Sequence, residues 1–338
     1  MMLASALSQQ LDSGLLEFAW DEWAQMGVLA APKRVSRWAQ DPEALIVFTL
    51  EVARDDPRLF DELLDWLLVN ESLLSVRRLR AMCDGPEDDR LVDAAIGWLA
   101  QRRPRARLAP RAGGPTRADL SPLFRGVSAG VRTPDPAFAA AGWLRPIAQP
   151  SGKARRPDLD APINLAFCLR ELLGVGVRAE VVRLLLTVDA PHVNAQTVAR
   201  SASFAKRNVH DVLASLHAAG AVRQWNVGNQ QRYEIDRAAW ARLLGIEADA
   251  LPVERAWPQL LSGLRSVRRF LHRDDLDDLS DYLRASQARD LLEAVRRSFE
   301  YAGLHVGSSR GDGAWGDLTA LVSDALVDLG AQRAASTP

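Results

Sequence analysis

The sequence predicts a mainly α-helical protein with one short β-hairpin, and three observations carry this prediction. Apolar residues recur at helical spacing through most of the 338 residues. The pairs Asp41-Pro42 and Asp56-Pro57 are typical of helix starts, because aspartate caps a helix and proline is accommodated in its first turn. Two runs of β-prone residues, 221–227 and 232–235, flank the turn sequence 228–231.

Composition narrows the function classes. Hydrophobic residues make up 48% of the chain, which is enough to build packed cores. Charged residues make up 25%, as is ordinary for a globular protein. The formal net charge is -1, so any affinity for nucleic acid must come from a local basic patch. The two cysteines show no metal-ligand spacing, so we expect buried thiols. The start lacks a signal-peptide pattern, and no apolar run approaches the ~18 residues of a membrane span. We therefore expect a cytoplasmic protein without a membrane partner.

Residues 1–100 are predicted to form an N-terminal helical bundle. Helices are expected over residues 11–29, after Pro42, after Pro57, after a cap at Asn70 or Ser72, and over residues 89–99. No strand pattern interrupts them. We expect this bundle to serve in protein interaction or dimerisation.

Residues 101–161 are predicted to be a Pro/Arg-rich linker with short ordered pieces. Ten of the 18 prolines lie in residues 104–162, and proline blocks long helices. Residues 120–124 and 138–147 are the pieces expected to dock on a neighbour. The arginines of residues 102–111 either contact phosphates or belong to a solvated linker.

Residues 162–245 carry the pattern on which the functional prediction depends. Helices are expected over residues 163–173, 178–188 and 194–200, and residues 201–203 are expected to form a turn. In the helix that follows, the apolar residues at i, i+3, i+4 and i+7 are Val209, Val212, Leu213 and Leu216. Gly220 is expected to end that helix. Two helices, a turn and a following hairpin are the sequence form of a winged helix-turn-helix.

The chain after the hairpin is predicted to be helical again. Asp236 is expected to cap a helix over residues 237–244. Residues 246–330 are predicted to form a C-terminal helical domain. Its helices are expected over residues 252–271, 277–301 and 318–329, with a flexible loop over residues 307–316. Whether the N-terminal and C-terminal helical regions form one domain stays open.

The central segment resembles the winged helix-turn-helix regulators of the MarR/ArsR-like type. Residues 172–186 resemble the opening helix of that family, in which an arginine precedes an apolar helix ending in Leu-Leu. Residues 197–199 resemble the family's positioning helix, and residues 206–216 resemble its recognition helix. Residues 220–222 resemble the start of its wing. The resemblance covers residues 162–236 and implies a bacterial transcriptional regulator that binds double-stranded DNA. The flanking regions resemble larger uncharacterised bacterial helix-turn-helix proteins, some of which look like partners of nucleotidyltransferases.

Exposed residues at the start of the recognition helix and at the wing are the candidates for DNA contacts. Arginine and lysine pair with guanine and asparagine with adenine, whereas donors on the wing reach phosphate or the minor groove. The candidates are Ser203, expected to cap the recognition helix, with Lys206, Arg207, Asn208, His210, Asn229, Gln230, Gln231 and Arg232. Asp211 lies on the same face and opposes binding, so we expect a homodimer that reads two half-sites.

A different class of function stays open beside DNA binding. The winged helix could bind a partner protein, such as a nucleotidyltransferase, instead of DNA or as well as DNA. The protein would then be an antitoxin-like or protein-interaction subunit.

Catalytic chemistry has little support in the sequence. The five histidines form no HExxH motif, and no glycine-rich segment has the Gly-Lys-Ser/Thr of a P-loop. Residues 272–278 either gather carboxylates for a cation or cap helices. We therefore expect no enzymatic activity, no metal and no cofactor.

Overall fold

The structure is a computed structural model that describes residues 4–108, 120–126, 131–190, 192–309, 313–330 and 333–334. Within these residues the chain forms fourteen α-helices and three two-stranded sheets, which confirms the prediction of a mainly helical protein. Parts of two predicted segments lie outside the described residues. These are residues 109–111 of the arginine run and residues 310–312 of the loop.

Six α-helices form in the described part of the first 161 residues. They are α1 (Ala4–Gln25), α2 (Pro42–Val52), α3 (Pro57–Asn70), α4 (Val76–Ala81), α5 (Pro86–Arg102) and α6 (Pro136–Ala140). The side chains of Asp41 and Asp56 accept backbone N–H groups at the starts of α2 and α3, as predicted. Ser75 caps α4, so the prediction of a cap at Asn70 or Ser72 is wrong. The reason is that residues Glu71–Leu73 continue from α3 as a 3-10 turn.

The described residues of the central segment contain five α-helices and a hairpin. They are α7 (Leu165–Leu173), α8 (Val177–Thr187), α9 (Ala195–Ala202), α10 (Lys206–Ala218) and α11 (Arg237–Leu244), with strands Arg223–Val227 and Gln230–Glu234 between α10 and α11. Asp236 caps α11 through the N–H of Ala239, and Gly245 ends it in the left-handed conformation, both as predicted. The helical order of this segment is thus confirmed.

Three helices complete the described chain, and the strands are short. The helices are α12 (Trp257–Leu271), α13 (Asp281–Tyr301) and α14 (Gly313–Gly330). The strands are β1 (Arg34–Val35), β2 (Ser121–Pro122), β3 (Trp143–Leu144), β4 (Arg223–Val227), β5 (Gln230–Glu234) and β6 (Arg333–Ala334), paired β1–β6, β2–β3 and β4–β5. Helix α14 begins five residues before the predicted start, so residues 313–316 are helical and not loop. Each helix of the described residues is too short or too polar to cross a membrane.

Two hydrophobic cores organise these helices. The large core joins α1–α6 to α12–α14, and the small core is built by α7–α11 with the hairpin. The N-terminal and C-terminal helical regions therefore share one core, which the sequence left open. Trp257 on α12 shows why: its ring centroid lies 5.4 Å from that of Phe18, and its indole N–H donates to the carbonyl of Ala39 at 2.8 Å.

The ordered pieces of the Pro/Arg-rich segment dock on the large core, as predicted. Their buried apolar residues there are Leu123, Phe124, Phe138 and Trp143. Arg145 is buried with them, its guanidinium carbon 4.9 to 5.7 Å from the ring centroids of three phenylalanines, and it forms an ion pair with Asp61 at 2.7 Å. Cation–π contacts of this kind let an arginine lie in an apolar setting.

Replacing Trp257 with alanine is expected to lower the free energy of unfolding by about 3–5 kcal/mol, because a large buried ring is lost from the shared core. The N-terminal and C-terminal regions should still unfold in one transition in a urea titration followed by fluorescence and circular dichroism. Tyr282, which is 69% exposed on α13, is the control, and Tyr282→Ala should change the value by about 0.5 kcal/mol at most. Separate transitions for the two regions would contradict a shared core.

Candidate nucleic-acid interface

The turn between α9 and α10 differs from its sequence prediction. Ser201 and Ala202 still belong to α9, so the turn spans residues 203–205 and lies two residues later than predicted. Ser203 adopts the left-handed conformation, with φ of 55°, and its N–H bonds back to α9 carbonyls. The prediction that Ser203 caps α10 is therefore wrong: Ala205 precedes that helix, and no side chain caps it. A left-handed residue reverses the chain within a short distance, which brings α10 against α9.

Helix α10 buries the face that its sequence pattern predicts. Val209, Leu213 and Leu216 are buried in the small core, and Val212 is half-buried against it. Of the predicted site residues on this helix, Lys206, Arg207 and His210 are exposed, whereas Asn208 is half-buried. Asp211 is exposed as well. The first N–H groups of α10 have no capping side chain, and such a helix start favours an anion.

The hairpin turns more tightly than predicted. Val227 pairs directly with Gln230, so the turn is Gly228-Asn229, and Gln230 and Gln231 belong to strand β5 instead of the turn. Gly228 has a φ of 56°, which permits this two-residue connection. Arg232 is half-buried on β5, opposite Trp225.

The hairpin is fixed to the start of α9 by backbone pairing. Val193 and Tyr233 exchange two hydrogen bonds, of 3.1 and 2.9 Å. The side chain of Asn194 then caps α9 by accepting the N–H of Thr197 at 2.8 Å. These bonds place the hairpin beside both α9 and α10.

An open cleft of about 490 Å³ lies between the starts of α9 and α10 and the hairpin. It brings together five of the nine predicted residues, namely Lys206, His210, Asn229, Gln230 and Gln231. Ser203, Arg207, Asn208 and Arg232 are not part of its lining. The remaining lining residues are Asn194, Ala195, Gln196, Asn226 and Gly228, so within the described residues no carboxylate borders the cleft.

Sequence reasoning missed three polar residues of this cleft. Asn194 was predicted only as the first residue of a helix, and Gln196 and Asn226 carried no pattern that distinguished them. Asn226 lies on β4 directly opposite Gln231, which is a predicted site residue. The alternation of side chains along β4 was therefore the one signal in the sequence that could have placed Asn226 near the site. The cleft therefore presents amides and two basic side chains, which are donors suited to nucleic-acid oxygens.

A buried ion network joins this small core to the large one. Arg78 on α4 lies against three carboxylates: Glu43 at 3.0 Å, Glu180 at 3.1 Å, and Asp41. Its Nε also donates to the carbonyl of Ala202 at 3.0 Å, which satisfies the end of α9. The network thus reaches the turn before α10.

Arg170 on α7 and Arg183 on α8 extend the network. Arg170 bonds to Glu43 at 2.7 Å and Glu180 at 2.6 Å, and Arg183 bonds to Glu180 at 3.0 Å and pairs with Glu254. Burial alone would raise the pKa of Glu180, but the guanidinium groups around it outweigh burial and hold that pKa far below its usual range. Glu180 is therefore ionised at neutral pH, and the ion pairs persist.

Several acidic groups that could be considered for a cation have other partners. Asp12, Asp55 and His272 have ligand atoms within 4.8 Å of one another, but Arg268 donates to Asp12 at 2.6 Å and pairs with Asp55. In the segment that the sequence offered as cation ligands or caps, Asp277 accepts the N–H of Ala4 at 2.8 Å and so caps α1. Asp275 in that segment pairs with Arg273 at 2.7 Å.

The thiol of Cys83 is unsuited to nucleophilic chemistry. Burial raises its pKa to about 12, and nearby aspartates add to the effect. The thiolate, which is the reactive form, is thus scarce at neutral pH.

Comparisons of the chain with protein-family models, with curated proteins and with solved structures yield no match.

Replacing Arg78 with methionine is expected to lower the free energy of unfolding by about 3–5 kcal/mol, because three buried carboxylates lose a shared counter-charge. Urea denaturation at neutral pH measures the change. Arg156→Met is the control, since the ion pair of Arg156 with Glu171 is exposed and should contribute at most about 1 kcal/mol. Equal losses in the two variants would contradict a structural role for the network.

Proposed function

We propose that the protein is a cytoplasmic DNA-binding transcriptional regulator. In this proposal α8, α9, α10 and the hairpin β4–β5 form a winged helix-turn-helix of the MarR/ArsR-like type. The observation that carries it is the cleft in which the start of α10 meets the hairpin tip, with a described lining of amide and basic side chains and no carboxylate. Such a lining suits a polyanion, because its amide and basic side chains donate hydrogen bonds and no described lining residue carries a negative charge that would repel phosphate.

Helix α10 acts as the recognition helix. Such a helix enters the major groove by its N-terminal end, where Lys206 and Arg207 are exposed and can donate to guanine O6 and N7. His210 follows one turn later and lines the cleft. The half-buried Asn208 is a secondary candidate, for adenine.

The hairpin acts as the wing. Asn229, Gln230 and Gln231 are exposed at its tip and reach phosphate or the minor groove. Because Val193 ties β5 to the start of α9, the wing moves with the helices. Recognition helix and wing therefore meet DNA as one rigid surface.

The regulator acts as a homodimer. One copy offers few cations beside Asp211, and few phosphate contacts give weak binding. Two copies related by a two-fold axis would read half-sites about 34 Å apart and double the contacts.

A second candidate function is an antitoxin-like subunit that binds a partner protein, such as a nucleotidyltransferase. Exposed apolar side chains on the small core favour it. Leu172 on α7 is 53% exposed and Leu243 on α11 is 67% exposed. Apolar side chains in such positions suit burial against another protein.

Replacing Lys206 and Arg207 with alanine should weaken binding to DNA by about 1–3 kcal/mol per base-reading residue. A mobility-shift assay with a labelled fragment from upstream of the protein's own gene measures it. The control is Lys153→Ala with Arg58→Ala, which removes the same charges from exposed positions on the large core. Light scattering of the free protein should give twice the monomer mass.

Two results would contradict this proposal in different ways. Unchanged affinity in the Lys206 and Arg207 variant would remove the role given to α10. Wild-type protein that retains no DNA but co-purifies with the product of a neighbouring gene would favour the antitoxin-like subunit.

A further inference from the structure

Two arginines outside the predicted site flank the turn between α9 and α10. Arg77 on α4 is exposed, and its guanidinium carbon lies 5.7 Å from the ring centroid of Phe204. Arg200, on the last turn of α9, is exposed, and its guanidinium carbon lies 5.5 Å from the ring centroid of Tyr301. Phe204 precedes Lys206 by two residues, a span of about 7 Å at most. Arg77 therefore lies beside the start of α10, and Arg200 lies in the last turn of the helix before it, where its carbonyl accepts the N–H of Ser203.

Neither arginine forms an ion pair with a residue that the structure describes, and this distinguishes them from their neighbours. On α4, Arg78 pairs with Asp41 and Glu43, and Arg80 pairs with Asp93. Arg77 instead lies over an aromatic ring, which holds a guanidinium in place without neutralising its charge. The positive charge at this end of α10 thus remains available.

The large core holds these cations in a fixed position relative to α10. Arg78, next to Arg77, donates to the carbonyl of Ala202 at 3.0 Å. On the other side, the hydroxyls of Ser201 and Tyr301 lie 3.2 Å apart and are hydrogen-bonded. The turn is therefore attached both to α4 and to the end of α13.

We infer that Arg77 and Arg200 bind phosphates of the DNA backbone on either side of the base pairs that α10 reads. This inference rests on the proposed function, and it makes the large helical core part of the DNA contact. A guanidinium is always charged and offers paired N–H donors that match phosphate oxygens. When it lies against a ring, its edges stay free for such bonds. The two charges also offset Asp211, which lies on the exposed face of α10.

Phosphate contacts predict a particular dependence on salt. The slope of log affinity against log salt is negative, and each lost contact with B-form DNA reduces its magnitude by about 0.9. If wild type and variant bind equally at about 1 M salt, one lost contact weakens binding about fivefold at about 0.15 M. Because phosphates carry no sequence information, specific and non-specific duplexes should lose affinity alike.

The experiment compares Arg77→Gln, Arg200→Gln and the double variant with wild type. The probes are a labelled duplex from upstream of the protein's own gene and a duplex of the same composition in shuffled order, titrated from about 0.05 to 0.2 M salt. We expect the magnitude of the slope to be smaller by about 0.9 in each single variant and by about 1.8 in the double variant, on both duplexes. Arg77→Lys should keep the wild-type slope because it keeps the charge.

Arg58→Gln is the matched control. Arg58 is likewise exposed with its guanidinium over a ring, 5.2 Å from the centroid of Trp20, but it lies on α3, outside the contacts of the turn. Its variant should keep the wild-type slope. A slope that falls equally in Arg58→Gln would overturn the inference, because the loss would then reflect net charge alone. Thermal unfolding of each variant establishes that the fold is retained.

The remaining outcomes separate this inference from the proposed function. If wild type binds, the Lys206 and Arg207 variant is weakened, and Arg77→Gln and Arg200→Gln keep the wild-type slope, the inference falls and the proposed function stands. If wild type binds neither duplex at about 0.05 M salt, the proposed function falls and the inference falls with it.

Discussion

The arrangement of the molecule depends on the buried ion pairs around Glu180. The two hydrophobic cores are separate clusters, and this network joins them by bringing α2 and α4 of the large core against α7 and α8 of the small one. Phe167 on α7 packs in the large core as well, with its ring centroid 5.9 Å from that of Trp66. Removing charges from water is costly, and the cost is offset here because each guanidinium meets more than one acceptor.

Directional bonds at this junction matter for the candidate interface. Apolar contacts are non-directional and tolerate small shifts, whereas arginine–carboxylate pairs constrain distance and orientation. Arg78 belongs to the network and also donates to the carbonyl of Ala202, the last residue of α9. The position of the turn before α10 is therefore set by the same groups that join the cores. A surface assembled from α4, α9, α10 and the hairpin needs such a constraint, since its parts come from both cores.

Local signals in the sequence predicted much of the fold, and long-range polar contacts were beyond their reach. The aspartate–proline starts and the apolar face of α10 depend only on neighbouring residues, and both are confirmed. Ser203 was misjudged because serine is a common cap and rarely adopts positive φ, so its left-handed conformation had no local signal. Arg170 and Glu43 are 127 positions apart, and each sits in an apolar helix as an apparent exception to the pattern. The proximity of Lys206 to the hairpin tip was not predictable from local signals either, because it depends on the long-range backbone pairing of Val193 with Tyr233.

The ionisation of Glu180 determines the pH range over which this arrangement holds. Its pKa in the folded state lies below the unfolded value, so the folded protein binds the proton of this group less readily than the unfolded chain does. The stabilisation is fully present above the ordinary carboxyl pKa of about 4.3 and is lost only as the pH falls below it, towards the folded value. At neutral pH Glu180 therefore stays ionised. Its contacts with Arg78, Arg170 and Arg183 are therefore kept at neutral pH, and through Arg78 they support the turn before α10.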